Sequence, residues 1–164
     1  MSVDVRDAVS ADAAAIAAIY NHFITNTIIT FEEEPVTATE MTRRIVEVQG
    51  HQLPWLVAMA GNLMVGYAYA TKWRVRHAYR FSTEVTVYLT PGRERSGNGS
   101  KLYSQLITTL QAQKIHTAIG VIALPNDASV ALHEKLGFRK VAHLQEVGFK
   151  FNRWIDVGYW ELVL

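Results

Sequence analysis

Glu84-Val85-Thr86-Val87-Tyr88-Leu89-Thr90-Pro91-Gly92-Arg93-Glu94-Arg95-Ser96-Gly97-Asn98-Gly99-Ser100-Lys101-Leu102-Tyr103 decides how this chain is read. Val85, Val87 and Leu89 alternate with Glu84, Thr86 and Tyr88, the period of a half-buried strand. A Gly-rich turn follows, and apolar residues resume at helical spacing with Leu102, Tyr103, Leu106 and Leu110. Glycines where a strand turns into a helix let backbone N–H groups converge on an anion, and the positive helix end favours it. Arg93 and Arg95 add charge. The segment therefore predicts a site for a phosphate-bearing cofactor. It is not a P-loop, because Gly99-Ser100-Lys101 has the wrong order, and only Gly97-x-Gly99 of a dinucleotide fingerprint is present.

Outward from this stretch the pattern alternates between helix and strand. Val3 to Arg6 suits a short strand, and Ser10 suits an N-cap before the helical stripe Ile16, Ile19, Tyr20 and Phe23. Thr37 with Glu40 reads as a capping box before Met41, Ile45 and Val48, with Gly50 as the C-terminal cap. Trp55–Ala60 and Leu63–Ala70 are strands joined at Gly61-Asn62. Ala118–Leu124 is a continuous apolar run, expected of a strand covered on both faces. Pro125-Asn126-Asp127 opens a short helix that Gly137 ends, and Arg139–Glu146 and Ile155–Val163 are the last strands. The order is βααβββαβαββ.

Composition bounds the rest. With 164 residues the chain is expected to be one domain with one sizeable core. It has no apolar run of membrane-spanning length and no signal-peptide pattern, so neither membrane nor secretion is expected. Zero cysteines exclude disulfides and thiol catalysis and make the cytoplasm the default compartment. A net charge of +1 without a basic block argues against nucleic acid as a partner.

The turn resembles the pyrophosphate loop of the GNAT N-acetyltransferases, Gln/Arg-x-x-Gly-x-Gly/Ala, with Glu94 departing from its first position. The element order is also that of the GNAT fold: an α/β (α+β) architecture with a mixed, mostly antiparallel, twisted sheet of about seven strands and about four helices. The resemblance sharpens to the phosphinothricin and methionine-sulfoximine N-acetyltransferases. Its pieces are Ala18-Ile19-Tyr20-Asn21-His22, Thr30-Phe31-Glu32-Glu33-Glu34-Pro35, Pro54-Trp55-Leu56-Val57-Ala58 and Gly66-Tyr67-Ala68-Tyr69-Ala70. Further on stand Ala78-Tyr79-Arg80-Phe81, Glu84-x-x-Val87-Tyr88, Leu124-Pro125-Asn126-Asp127-Ala128-Ser129 and Leu132-His133-Glu134-Lys135-Leu136-Gly137-Phe138. The tail is Val147-Gly148-Phe149-Lys150-Phe151-x-x-Trp154-x-Asp156-Val157-Gly158.

That resemblance implies acetyl-CoA as co-substrate, no metal, and a small amino-acid-like amine as acceptor. It implies cofactor contacts from Val87, Tyr88, Leu89, Arg95, Ser96, Gly97, Asn98, Gly99, Ser100, Asn126 and Lys135. Substrate contacts would come from Phe31, Arg74, Arg76, Tyr79, Glu84 and Thr86. Acetyl transfer to an amine needs a base, and Glu84 on the Thr86 and Tyr88 face is the candidate; the competing reading is a surface glutamate at a strand end. His133 stands where many GNAT enzymes carry a tyrosine facing the thioester sulfur. It is either a proton donor to the leaving thiolate or a helix histidine packed beside Leu132 and Leu136.

Asn126 is either a pantetheine contact or a turn asparagine. Arg74 and Arg76, with neighbouring aromatics, suit an amino acid bearing a second anion, or else form a solvated basic edge. Glu32-Glu33-Glu34 is expected to be solvated, and Glu94 is expected to turn outward toward Arg93 or a lysine. Lys150, Arg153 and Trp154 fall in the expected connection between the last strands; the resemblance implies that this region packs against a second subunit in a C2 homodimer, and the competing reading is a monomer with an aromatic-rich hairpin. The readings that compete with this enzyme are acetylation of another small amine or a protein N-terminus, and a non-catalytic acyl-CoA-binding module.

Overall fold

The structure, a computed structural model, describes residues 2–94 and 96–164. Its order is β1 (Asp4–Asp7), α1 (Ala13–Asn26), α2 (Ala38–Gly50), β2 (Trp55–Ala60), β3 (Leu63–Lys72), β4 (Ser82–Leu89), α3 (Asn98–Ala112), β5 (Thr117–Leu124), α4 (Asp127–Lys135), β6 (Arg139–Lys150) and β7 (Arg153–Val163). The strands form one seven-stranded sheet in the order β1-β2-β3-β4-β5-β7-β6. Every pairing is antiparallel except β4 with β5.

Alternation along β3 and β4 sorts the two faces. Tyr67 and Tyr69 lie opposite Tyr88 and Thr86 and share the α1 face, where Tyr88 meets the rings of Tyr20 and Phe23. On the other face α3 buries Leu102, Tyr103, Leu106 and Leu110 completely, against Ala68, Ala70 and Val85. The apolar stripe read from the sequence is thus the buried stripe.

Local caps differ in detail from expectation. Ser10 begins a 3₁₀ turn, Ser10–Asp12. It is Asp12 that accepts the Val9 N–H, at 2.8 Å, while pairing with Arg6. Thr37 accepts the Glu40 N–H at 3.1 Å, but the Glu40 carboxylate pairs with Arg43 and Arg44. Gly50 is the last helical residue of α2, and Gln52 takes the left-handed conformation. Strands β6 and β7 are longer than expected and meet at Phe151-Asn152, both with positive φ, in a two-residue hairpin. Lys150 and Arg153 are therefore strand residues rather than loop residues.

Candidate active site

The site begins where the sheet opens. Strands β4 and β5 pair only through Ser82–Thr117, Thr83–Ala118 and Glu84–Ile119, although both continue for several residues. Beyond Glu84 they diverge. The gap leads into a cleft of about 620 Å³ lined by Val87, Tyr88 and Leu89 of β4, Gly97, Gly99 and Ser100 at the start of α3, and Asn126, Leu132 and Lys135 at α4. That volume suits a ligand of cofactor size.

The turn into α3 is shaped for a close anion. Gly97 has φ +80°, a left-handed conformation that costs glycine little, and it ends the loop as the helix begins. A Cβ at Gly99 would stand 3.2 Å from Leu89 Cδ1 and 3.5 Å from Leu132, so glycine lets α3 settle against β4 and α4. The first N–H groups of α3 have no intrahelical acceptors, and Gly97, Gly99 and Ser100 line the cleft. Ser96 Oγ donates to Arg93 O at 2.7 Å, and Lys135 Nζ donates to Ser100 Oγ at 3.2 Å, which places a cation at the same mouth. Asn98 is the first residue of the helix. Glu94 turns back on its own loop, where Oε1 accepts the Gly92 N–H at 3.2 Å, rather than reaching Arg93 or a lysine. Arg95 lies outside the described residues.

Asn126 caps α4, its Oδ1 accepting the Ser129 N–H at 3.2 Å, and it also lines the cleft. The capping and cleft roles are compatible because a cap uses only the oxygen. Tyr88 packs into the aromatic cluster with Tyr20, Phe23 and Tyr67 while its strand borders the cleft.

Glu84 belongs to the last parallel pair, at the apex of the opening, and is half-buried. Burial raises its carboxyl above the ordinary range, and the positive charge of Arg74 opposes that shift in part. Thr86 follows on the same face, opposite Tyr69. His133 reaches the apex from the other face. It is buried, with Nδ1–H donating to Ser129 O at 2.8 Å and Nε2 accepting from Tyr103 O–H at 2.8 Å. A Cβ at Gly120 would lie 2.4 Å from Nε2, so the ring rests directly on β5 just past its last pair with β4. Burial lowers the imidazole pKa, against the Ser129 carbonyl, which raises it. Both nitrogens have partners inside the protein, as in the packed-histidine reading, and the ring also borders the small gap between β4 and β5 with Thr86, Val87 and Asn126.

Two connections carry the remaining candidate residues. In the first, residues 27–37 between α1 and α2, Tyr20 O–H bonds with Thr30 Oγ1 at 2.8 Å and also with Glu32, which takes a two-point ion pair from Arg44 at 2.7 and 2.8 Å. Glu32 is thus a structural anion and not part of a solvated run. Asn21 holds the Val36 backbone through both its amide atoms, at 2.8 and 2.9 Å. Phe31 lies with its ring against Gly148. In the second connection, residues 73–81, Arg74 stacks on Trp73 at 4.3 Å. Arg74 and Arg76 line a recess of about 500 Å³ with Lys72, His77 and Arg80. Tyr79 ends a 3₁₀ turn and is exposed.

The structure therefore gathers Glu84, Thr86, His133, Asn126 and the α3 start around one opening, with Arg74 close enough to act on Glu84. Arg76, Tyr79 and Phe31 stand farther out. Sequence reading did not foresee the contacts of His133 with Tyr103, Gly120 and Ser129, nor the linkage of Tyr20 and Arg44 to Glu32. Only Gly120, a glycine inside an apolar strand, carried a local signal of close approach. Among the described residues no group of acidic or histidine side chains is placed to hold a metal, and no helix is long and apolar enough to cross a membrane.

Comparison with known proteins agrees with this geometry. The family profile of the acetyltransferase (GNAT) domain matches residues 5–158. A phosphinothricin N-acetyltransferase of Streptomyces viridochromogenes is 40% identical over 159 residues, covering 97% of this chain and 86% of that protein. An L-methionine sulfoximine/L-methionine sulfone acetyltransferase of Salmonella typhimurium is 34% identical, covering 98% and 94%. A phosphinothricin acetyltransferase of Sinorhizobium meliloti, solved with acetyl-CoA, superposes with a TM-score of 0.96 at 36% identity, covering 100% of this chain and 89% of that one. The chain belongs to the GNAT acetyltransferase family, and these relatives fall in its phosphinothricin and methionine sulfoximine branch.

Proposed function

We propose that this enzyme moves acetyl from acetyl-CoA to the α-amine of a small amino-acid analogue, such as phosphinothricin, methionine sulfoximine or the sulfone, by direct attack in a ternary complex. The observation that carries the reading is a carboxyl of raised pKa at the apex of a sheet opening whose other end is an anion-ready helix start.

In this reading the N–H groups of Gly97, Asn98, Gly99 and Ser100, with Ser96, Arg95 and Lys135, hold the pyrophosphate. Val87, Tyr88 and Leu89 offer backbone to the pantetheine arm, and the Asn126 amide donates to it. Glu84 takes the proton of the ammonium or of the attacking amine, directly or through one water. The amine nitrogen then bonds to the thioester carbon, the C–S bond breaks, and the thiolate takes a proton. His133 contributes by holding the strands apart, and a proton to sulfur comes through solvent or a rearranged imidazole. Arg74, Arg76 and Tyr79 meet the second anion of the substrate, while Thr86 and Phe31 form walls. A polyamine pocket would call for acidic walls, whereas Arg74 and Arg76 share their recess with Lys72, His77 and Arg80.

A C2 homodimer is part of the proposal. It is supported by the outward strip Val147, Phe149, Phe151 and Trp154 on the β6–β7 hairpin, of which Trp154 is 63% exposed. A cysteine-free chain suits the cytoplasm. The test is a side-by-side rate screen with acetyl-CoA. L-phosphinothricin or L-methionine sulfoximine should be acetylated far faster than spermidine or lysine, and equal or faster turnover of the polyamine would overturn the reading. Binding of acetyl-CoA with no turnover of any amine would point to the acyl-CoA-binding module instead.

A further inference from the structure

We infer that Gly148 and Lys150 of β6 are positioning residues that set the amine pocket by clamping the α1–α2 connection across the open face of the sheet. The inference rests on the proposed function, since it concerns the pocket for that amine.

Because β4 and β5 share only three pairs, the β1–β4 and β5–β7 halves of the sheet are joined by a short seam. A second tie crosses on the α1 face. Lys150, 2% exposed, donates from Nζ to Thr30 O at 2.7 Å, bridging residues 120 positions apart. Ile28, two residues earlier, packs with Ala123 of β5 and Ile155 of β7 in a small cluster of its own. On its other side Thr30 is held by Tyr20 of α1 through the hydroxyl. Thr30 is thus gripped from both halves of the sheet, and the next residue is Phe31.

The ring of Phe31 is fixed in turn by what Gly148 lacks. A Cβ at Gly148 would fall 2.3 Å from Cζ and 2.5 Å from Cε2 of Phe31, so any side chain there displaces the ring. Alternation on β6 turns Gly148 and Lys150 inward together, with Val147 and Phe149 outward. An irregularity in the β6–β7 register between Leu144 and Gly148 ends where pairing resumes at Gly148–Ile155, which sets this phase.

A buried ammonium with one backbone carbonyl as hydrogen-bond acceptor is costly to keep. The Phe151 ring at 5.1 Å and the charge of Glu33 offset only part of its lost hydration. A lysine reaching into the α1–α2 connection is accounted for if that connection must be held in one place. Neither Gly148 nor Lys150 need touch the reacting atoms, since both act through Thr30 and Phe31.

The experiment is a double-mutant cycle on the full-length enzyme. Gly148→Ala and Lys150→Met are each made in the native background and with Phe31→Ala, and KM for the amine is measured beside Kd for acetyl-CoA. In the native background each change should raise the amine KM by roughly tenfold, the scale of a misplaced positioning group, with acetyl-CoA affinity unchanged. With Phe31→Ala already present, neither should add further loss, because the ring through which they act is gone. Lys150→Met should also speed amide hydrogen exchange over residues 28–34 by roughly tenfold, a readout independent of turnover. If Gly148→Ala does not fold, Lys150→Met carries the test. Equal losses with and without Phe31, a parallel loss of acetyl-CoA affinity, or an unchanged amine KM would each overturn the inference. Failure of the native enzyme to acetylate either amine would instead remove the proposed function, and this inference with it.

Discussion

The two ends of the cleft are made in opposite ways. In the proposed site the cofactor end is one continuous stretch, Val87 to Ser100, completed by Asn126 and Lys135, and its recognition groups would be backbone N–H donors that any sequence able to make the turn would present. The proposed amine end would be assembled from side chains far apart in the chain: Thr30 with Lys150, Phe31 with Gly148, and Arg74, whose charge acts on Glu84. Backbone recognition is insensitive to single substitutions and suits a shared cofactor. Side-chain recognition changes with one residue and suits a variable acceptor. Glu84 sits where the two meet.

The largest expected effect falls on that meeting point. Glu84→Gln should lower kcat by roughly 10²-fold, within the range for loss of a general base, and the acidic limb of the pH–rate profile should fade. An unchanged profile would move the base elsewhere.

Arg74→Ala tests the coupling between the amine end and the base. Arg74 lowers the Glu84 pKa against burial, so its removal should shift the acidic limb to higher pH and should also raise the amine KM. A shift to lower pH would show that Arg74 does not act on the base in solution.

The His133 wedge predicts an acid-dependent stability. Its folded pKa lies below its ordinary 6.5, so the unfolded chain takes up the proton first as pH falls. The stability it lends is intact above 6.5 and is lost as pH drops from there toward the folded value. Melting temperatures of the native protein should therefore fall more steeply below that pH than those of His133→Gln. Parallel pH dependence in the two proteins would mean that the ring takes a proton without cost.

The smallest effect belongs to the cofactor end. Glu94 lines the cleft and accepts the Gly92 N–H, so its charge stands near the proposed pyrophosphate site. Glu94→Gln should tighten acetyl-CoA by less than about 1 kcal/mol, with the gain shrinking as salt rises. Weaker binding would show that the carboxylate is needed to shape the Thr90–Gly97 turn.

The same contrast explains what could be read in advance. The element order, the buried stripe of α3 and the glycine turn were legible because strand period, helix period and turn chemistry are local properties. The helix start at Pro125-Asn126-Asp127 was legible for the same reason, and Asn126 proves to be both the cap of α4 and a lining residue of the cleft. The Tyr20–Glu32–Arg44 linkage was not, because nothing near Glu32 in its connection marks its partners on α1 and α2, and an acidic triplet reads as solvated. The orientation of His133 escaped because it depends on Tyr103, 30 residues away, and on the missing side chain of Gly120. Lys150 looked like a loop residue until β6 ran on to meet β7 in a two-residue turn.

The separateness of the two ends is tested most directly by acetyl-CoA titration and amine kinetics on a single Arg74→Ala/Arg76→Ala double variant. The dissociation constant for acetyl-CoA should stay as in the native enzyme. KM for the anionic amine should rise by the equivalent of about 1.5–3 kcal/mol for each charged hydrogen bond lost. Weakened acetyl-CoA binding with an unaltered amine KM would contradict the assignment of the two ends.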